Sequence, residues 1–265
     1  MLWQLINGLA IGVVVGYLGL CLFAVFFSDG MIFPAPKPSY TESKEYVKLP
    51  LRNGNEITAL YLENPKATYT ILYSYGNGED LGTVRPKLEA LHAQGYAVLG
   101  YDYPGYGTSD GRPSEQGCLE AIAAAFSYLV ILRDVAPDSI VLFGRSLGGG
   151  PAFALASQKP VAGLITDGTF TSTFRVVTKR KLVPWDKFDN LAVIDKVQCP
   201  VLIIHGTEDR TVPFAHAETL YKAAPGRKEK LFVQGAGHNN LIEVAGSRYW
   251  DTVDSFIGSL PKPHE

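Results

Sequence analysis

The chain has 265 residues, 46% of them hydrophobic, with 27 glycines and 17 prolines, which suits one large α/β domain or two small ones. A formal net charge of −2 argues against a nucleic-acid partner. Three cysteines, Cys21, Cys118 and Cys199, exclude a disulfide framework, and since Cys21 lies in an apolar run no disulfide is expected.

From Met1 to Ser28 there is no charged side chain, and residues 5–27 read "LINGLAIGVVVGYLGLCLFAVFF". At about 1.5 Å per residue such a helix reaches roughly 34 Å, enough to cross a hydrocarbon core of about 30 Å with some tilt. A cleaved signal peptide fits less well, because no Lys or Arg precedes the run, the run is long, and no small-x-small site follows. Residues 1–28 are therefore expected to be a single-pass membrane anchor. Gly8, Gly12 and Gly16 recur every four residues, as in a face for helix association, though glycine is also frequent in membrane helices generally. Lys37, Lys44 and Lys48 follow the span, so the positive-inside rule leans towards a cytoplasmic catalytic domain.

Residues 29–43 carry three prolines among small polar residues and read as a linker, leaving 44–265 for the catalytic domain. Residues 45–49 and 57–62 form an expected hairpin around "RNGNE". Six further strands are expected at 68–75, 96–103, 139–144, 161–167, 199–206 and 229–235. Several are continuous apolar runs without alternation, as strands buried on both faces of a parallel sheet should be. Helices are expected between them at 86–94, 115–134, 147–158 and 215–224, with a closing helix at 244–258. That rhythm predicts a mostly parallel central sheet flanked by helices.

Functional residues of such a sheet gather at the carboxyl ends of its strands. Ser146 follows "IVLFG" within G-R-S-L-G, Asp209 follows "VLIIHGTE", and His238 follows "LFVQGAG". A serine hydroxyl becomes a nucleophile when an imidazole takes its proton, and the imidazole needs a carboxylate to fix its tautomer. An attacked carbonyl also needs N–H donors, expected from the backbone of Leu147 and of Asn77 in the loop "YSYGNGED", with Gly78 as the other choice. Glu208, Asp167 and Asp102 compete with Asp209 for the acid. His205 reads as core, His92 and His216 lie on helices, and His264 stands in the tail.

Together "YSYGNGEDLG", "YDYPGYGTSDGRPSE", "GRSLGGGPA", "CPVLIIHGTEDRTVPFAHAETLY" and "VQGAGHNN" resemble α/β-hydrolase-fold serine hydrolases. The resemblance covers residues 69 to 256 and is closest to the Bem46-like and ABHD17-like (depalmitoylase-like) branch. It implies an α/β-hydrolase fold and the roles given above to Ser146, Asp209 and His238. Two departures stand out. Tyr75 replaces the histidine usual before the oxyanion-loop glycine, and a membrane span replaces the N-terminal cysteine cluster of the ABHD17-like proteins, so a palmitoyl-protein substrate does not carry over.

Caps enter this fold after the sixth strand, and here that interval, 168–198, is short, so the cap is expected to be small or absent. It supplies Phe170, Phe174 and Trp185 as candidates for an acyl pocket, or as ordinary packing contacts. Lys179, Arg180 and Lys181 stand beside Trp185, a mix suited to anionic lipid or simply to a solvated surface. The expected activity is hydrolysis of a small-molecule or lipid acyl ester or thioester through an acyl-enzyme, with no metal and no cofactor. The rivals are a peptidase or amidase with the same residues, and a non-catalytic membrane scaffold. Oligomeric state is not legible.

Overall fold

The computed structural model describes residues 2–263; Met1, His264 and Glu265 lie outside the described residues. Eight strands form one sheet in the order β1-β2-β4-β3-β5-β6-β7-β8. β1 (Tyr46–Pro50) and β2 (Glu56–Leu62) pair antiparallel, as the turn between them requires, and β2 runs antiparallel to β4 (Ala97–Tyr101). From β4 onward, β3 (Thr70–Ser74), β5 (Ile140–Arg145), β6 (Gly163–Asp167), β7 (Val201–Gly206) and β8 (Lys228–Val233) are all parallel. Residues of β3, β4, β6 and β7 are buried along their full length, because helices cover both faces.

Helices correct the sequence reading at three places. α3 spans Leu81–Ala93 and so starts five residues before the expected 86. Asp80 caps it, its carboxylate accepting the Thr83 N–H at 3.0 Å while the Thr83 hydroxyl oxygen accepts the Asp80 N–H at 2.8 Å. α4 (Glu115–Ser127) keeps its regular pitch to Ser127 and widens into a π turn over Tyr128–Leu132. The closing helix is two helices, α9 (Leu241–Ala245) and α10 (Ser247–Gly258), separated at Gly246, whose φ of 58° no α-helix accommodates. Between these lie α5 (Gly149–Ala156), α6 (Thr173–Thr178), α7 (Asn190–Val193) and α8 (Ala215–Ala223).

Ahead of the sheet, α1 spans Leu2–Phe26 and α2 spans Ser28–Ile32. Ile6–Phe26 is long and apolar enough to cross a membrane, and it is exposed along nearly all of its length. The segment expected to be a linker is a strap tied to the domain. Phe33 is buried with its ring edge-on to Phe188 at 6.2 Å, and Asp29 pairs with Lys187. Further on, the Ser39 N–H donates to Asp80 at 2.6 Å and the Tyr40 hydroxyl to Asp102 at 2.5 Å. Prolines at 34, 36 and 38 fix φ and remove three backbone donors, so the strap stays extended and is held by the Ser39 N–H and by side chains.

Candidate active site

The turn after β5 is constrained from both sides. A Cβ on Gly144 would lie 2.6 Å from the Gly148 carbonyl oxygen, and one on Gly148 would lie 2.1 Å from the Ser74 carbonyl oxygen. Only glycine fits either position, and the chain reverses so tightly that Ser146 sits at φ 50°. This left-handed conformation costs a non-glycine residue about 1–2 kcal/mol. Strain of that kind persists where surrounding structure enforces it, and here it presents one hydroxyl at the carboxyl edge of the sheet.

That hydroxyl lies 2.9 Å from His238 Nε2, and His238 Nδ1 lies 2.7 Å from Asp209 Oδ2. The other Asp209 oxygen accepts the N–H groups of Thr211 and Val212, both at 2.8 Å. Burial by itself would raise the Asp209 carboxyl, but the hydrogen bond and charge of His238 and the Val212 N–H outweigh it, leaving the group below its ordinary value. The carboxylate is thus fixed and ionised, with Oδ2 2.7 Å from His238 Nδ1 and 3.3 Å from His205 Nε2. Gly168 (φ 64°) leaves room beside that ring, since a Cβ there would stand 3.1 Å from the His238 Cε1.

Two of the competing carboxylates, Asp167 and Asp102, are held by other partners. Asp167 pairs with Lys87 at 3.0 Å and accepts the Tyr249 hydroxyl at 2.7 Å. Asp102 accepts from Tyr40, from Tyr75 at 2.8 Å and from the Leu81 N–H at 2.8 Å. Glu208 is exposed. His205 is buried and its Nε2 lies 2.8 Å from the Val212 carbonyl, with burial holding the imidazole below its usual pKa and so neutral.

Asn77 and Leu147 both border the cavity that opens on Ser146. The neighbouring Gly76 N–H is already engaged, donating to Glu79 at 2.8 Å. Tyr75 is buried and joins the loop to the next strand. Its hydroxyl holds Asp102, and its carbonyl accepts the Tyr103 hydroxyl at 2.7 Å. Sequence reading missed Arg145, which bridges Glu79 on this loop to Asn239 beside His238, each at 2.9 Å. Its position inside G-R-S-L-G was the available signal.

The cavity holds about 310 Å³ and is walled mainly by apolar side chains. Phe170, Phe174 and Trp185 all line it, on the side formed by the segment after β6. A larger groove of about 620 Å³ runs along α4 beside Leu49 and Ile131, away from Ser146. Among the described residues no group of three His, Cys, Asp or Glu side chains is placed to hold a metal ion.

Residues 69–185 match the alpha/beta hydrolase fold family. The chain is 36% identical over 208 residues to alpha/beta hydrolase domain-containing protein 17B of Xenopus tropicalis, covering 77% of this chain and 72% of that protein. The chain belongs to the α/β-hydrolase family. It is also 38% identical over 196 residues to alpha/beta hydrolase domain-containing protein 17C of Mus musculus, covering 73% of this chain and 61% of the relative. An esterase of Pyrococcus furiosus superimposes with a TM-score of 0.71 at 18% identity, over 86% of this chain and 97% of the esterase. At that identity the likeness concerns the fold. For this α/β hydrolase the mostly parallel sheet and the sharp turn after β5 are those the resemblance implies.

Proposed function

We propose that this α/β hydrolase is a membrane-anchored serine hydrolase that cleaves carboxylic esters or thioesters through an acyl-enzyme. The observation that carries this reading is the pair of hydrogen bonds from Asp209 through His238 to Ser146, set at the carboxyl edge of the sheet. In the first half-reaction His238 Nε2 takes the Ser146 proton as Oγ attacks the carbonyl carbon. Asp209 stabilises the resulting imidazolium. The oxyanion is received by the N–H groups of Leu147 and Asn77. Collapse expels the alcohol or thiol, which takes the proton from His238. Water then repeats the sequence on the acyl-enzyme, releasing the acid and restoring Ser146.

The acyl group would lie along Phe170, Phe174 and Trp185, which border the cavity. α1 would hold the enzyme in the bilayer as a single span, with residues 44–265 as the catalytic domain. Lys37, Lys44 and Lys48 favour placing that domain on the cytoplasmic side. The test is turnover of p-nitrophenyl esters from acetate to palmitate, wild type beside Ser146→Ala, with fluorophosphonate labelling in parallel. Turnover and labelling should both vanish in the variant. A folded wild type that neither labels nor turns over any ester would overturn the reading.

A further inference from the structure

α1 takes part in the cavity as well as in the proposed anchoring. Leu20, Phe23 and Ala24, one helix face at spacings of three and four, line the cavity that opens on Ser146. α2 continues that wall with Met31 and Ile32, opposite Phe174 of α6. Ala24 is only 8% exposed, whereas Leu20 and Phe23 beside it keep 40% and 48% exposure, so the domain covers this face at Ala24 and leaves the rest open.

The arrangement is fastened rather than incidental. Asp29 pairs with Lys187, the Asn77 side-chain amide donates to the Ile32 carbonyl at 3.3 Å, and Phe33 packs on Phe188. The end of the apolar helix is thereby held at a set place beside Ser146. At the mouth of the same cavity Met31, Val177 and Leu182 stay 67%, 80% and 49% exposed. Exposed apolar side chains clustered at an opening mark a surface that meets something apolar. Lys179, Arg180 and Lys181, all exposed, lie in the chain between Val177 and Leu182, at the level where a membrane helix would reach the anionic headgroups.

We propose that the cavity opens sideways into the bilayer along the last turns of α1, and that the substrate is a long-chain acyl ester dissolved in the membrane. Its chain passes from lipid into the cavity between α1 and α6 without crossing water, and its carbonyl stops at headgroup level beside Ser146. This inference rests on the hydrolase reading of Ser146 and on the membrane reading of α1.

The experiment uses the full chain in phosphatidylcholine vesicles and compares turnover of p-nitrophenyl palmitate with that of p-nitrophenyl acetate. Ala24→Trp fills the cavity from the helix side and should lower the palmitate-to-acetate ratio by about tenfold or more. Val14→Trp, mid-helix and away from the cavity, should keep the wild-type ratio. An unchanged ratio in Ala24→Trp overturns the proposal. A second measurement needs no variant: wild type is labelled with a long-alkyl fluorophosphonate carrying a terminal diazirine, then irradiated. Crosslinks to residues 20–32, to residues 173–182 or to phosphatidylcholine support the proposal, and crosslinks confined to segments away from α1 and α6 overturn it. A wild type that neither labels nor cleaves acetate fails the hydrolase reading itself, and this inference falls with it.

Discussion

Arg145 Nη1 lies 2.9 Å from Glu79 Oε2, an ion pair that ties the residue before Ser146 to the loop after β3. The same carboxylate oxygen accepts the Gly76 N–H, and the other arm of the guanidinium reaches Asn239 beside His238. One side chain therefore braces both loops that face Ser146. Both partners are partly buried, so salt screens the pair less than a surface ion pair. Arg145→Gln is expected to lower kcat by up to about 10²-fold with little change in KM, because the donors and the imidazole lose register while the cavity remains. Steady-state kinetics on a short and a long ester would show it; a wild-type kcat would remove Arg145 from any positioning role.

The strain at Ser146 makes a separate prediction. Ser146→Ala should lose activity by about 10⁴-fold or more while keeping the left-handed backbone and its cost. Ser146→Gly should be equally inactive but more stable than Ser146→Ala by about 1 kcal/mol, since glycine adopts φ near 50° freely. Thermal melts of the two variants decide it. Equal melting temperatures would mean the turn is not strained.

Much of this fold is legible in the sequence. The strands could be placed because continuous apolar runs such as "VLII" and "IVLF" have few other uses in a soluble domain. Ser146, Asp209 and His238 could be named because each follows a strand at a glycine-rich turn, and the structure brings the three together. The strap over 33–40 was not readable. Its anchors pair Ser39 with Asp80 and Tyr40 with Asp102, contacts across 41 and 62 residues that no local periodicity records. Nor does a hydropathy run indicate which face of α1 meets protein.

The pairing of Lys87 with Asp167 explains why Asp167, at the end of β6, is not the acid beside His238. Burial works against the Asp167 charge, but Lys87, Arg145 and the Tyr249 hydroxyl more than compensate, and the carboxyl stays below its ordinary value. Lys87 itself lies over the rings of Tyr73, Phe143 and Tyr249 at 5.4 to 5.7 Å. Lys87→Met would leave a buried carboxylate short of its nearest cation, and is expected to destabilise the fold by about 3–5 kcal/mol. Tyr249→Phe removes one hydrogen bond to a charge and should cost about 1.5–3 kcal/mol. Urea unfolding of both variants would rank them. The opposite order would show that Arg145 alone neutralises Asp167.

Asp102 behaves in the opposite way. Burial pushes its carboxyl up to about 6, against hydrogen bonds from Tyr40, Tyr75 and the Leu81 N–H that favour the charged form. In the unfolded chain the group titrates near an ordinary aspartate, about 3.9. Between those two values the folded protein keeps a proton that the unfolded chain has released. Stability from this group is therefore full below about pH 4 and is lost as pH rises through about 6, by on the order of 3 kcal/mol. Asp102→Asn keeps an oxygen for Tyr75 and Leu81 and an amide for the Tyr40 oxygen, but cannot ionise. Wild type should lose stability relative to Asp102→Asn between pH 4.5 and pH 7, read from urea midpoints at the two values. Parallel pH dependence in the two proteins would mean that hydrogen bonds to the carboxylate, rather than burial, set the charge of Asp102.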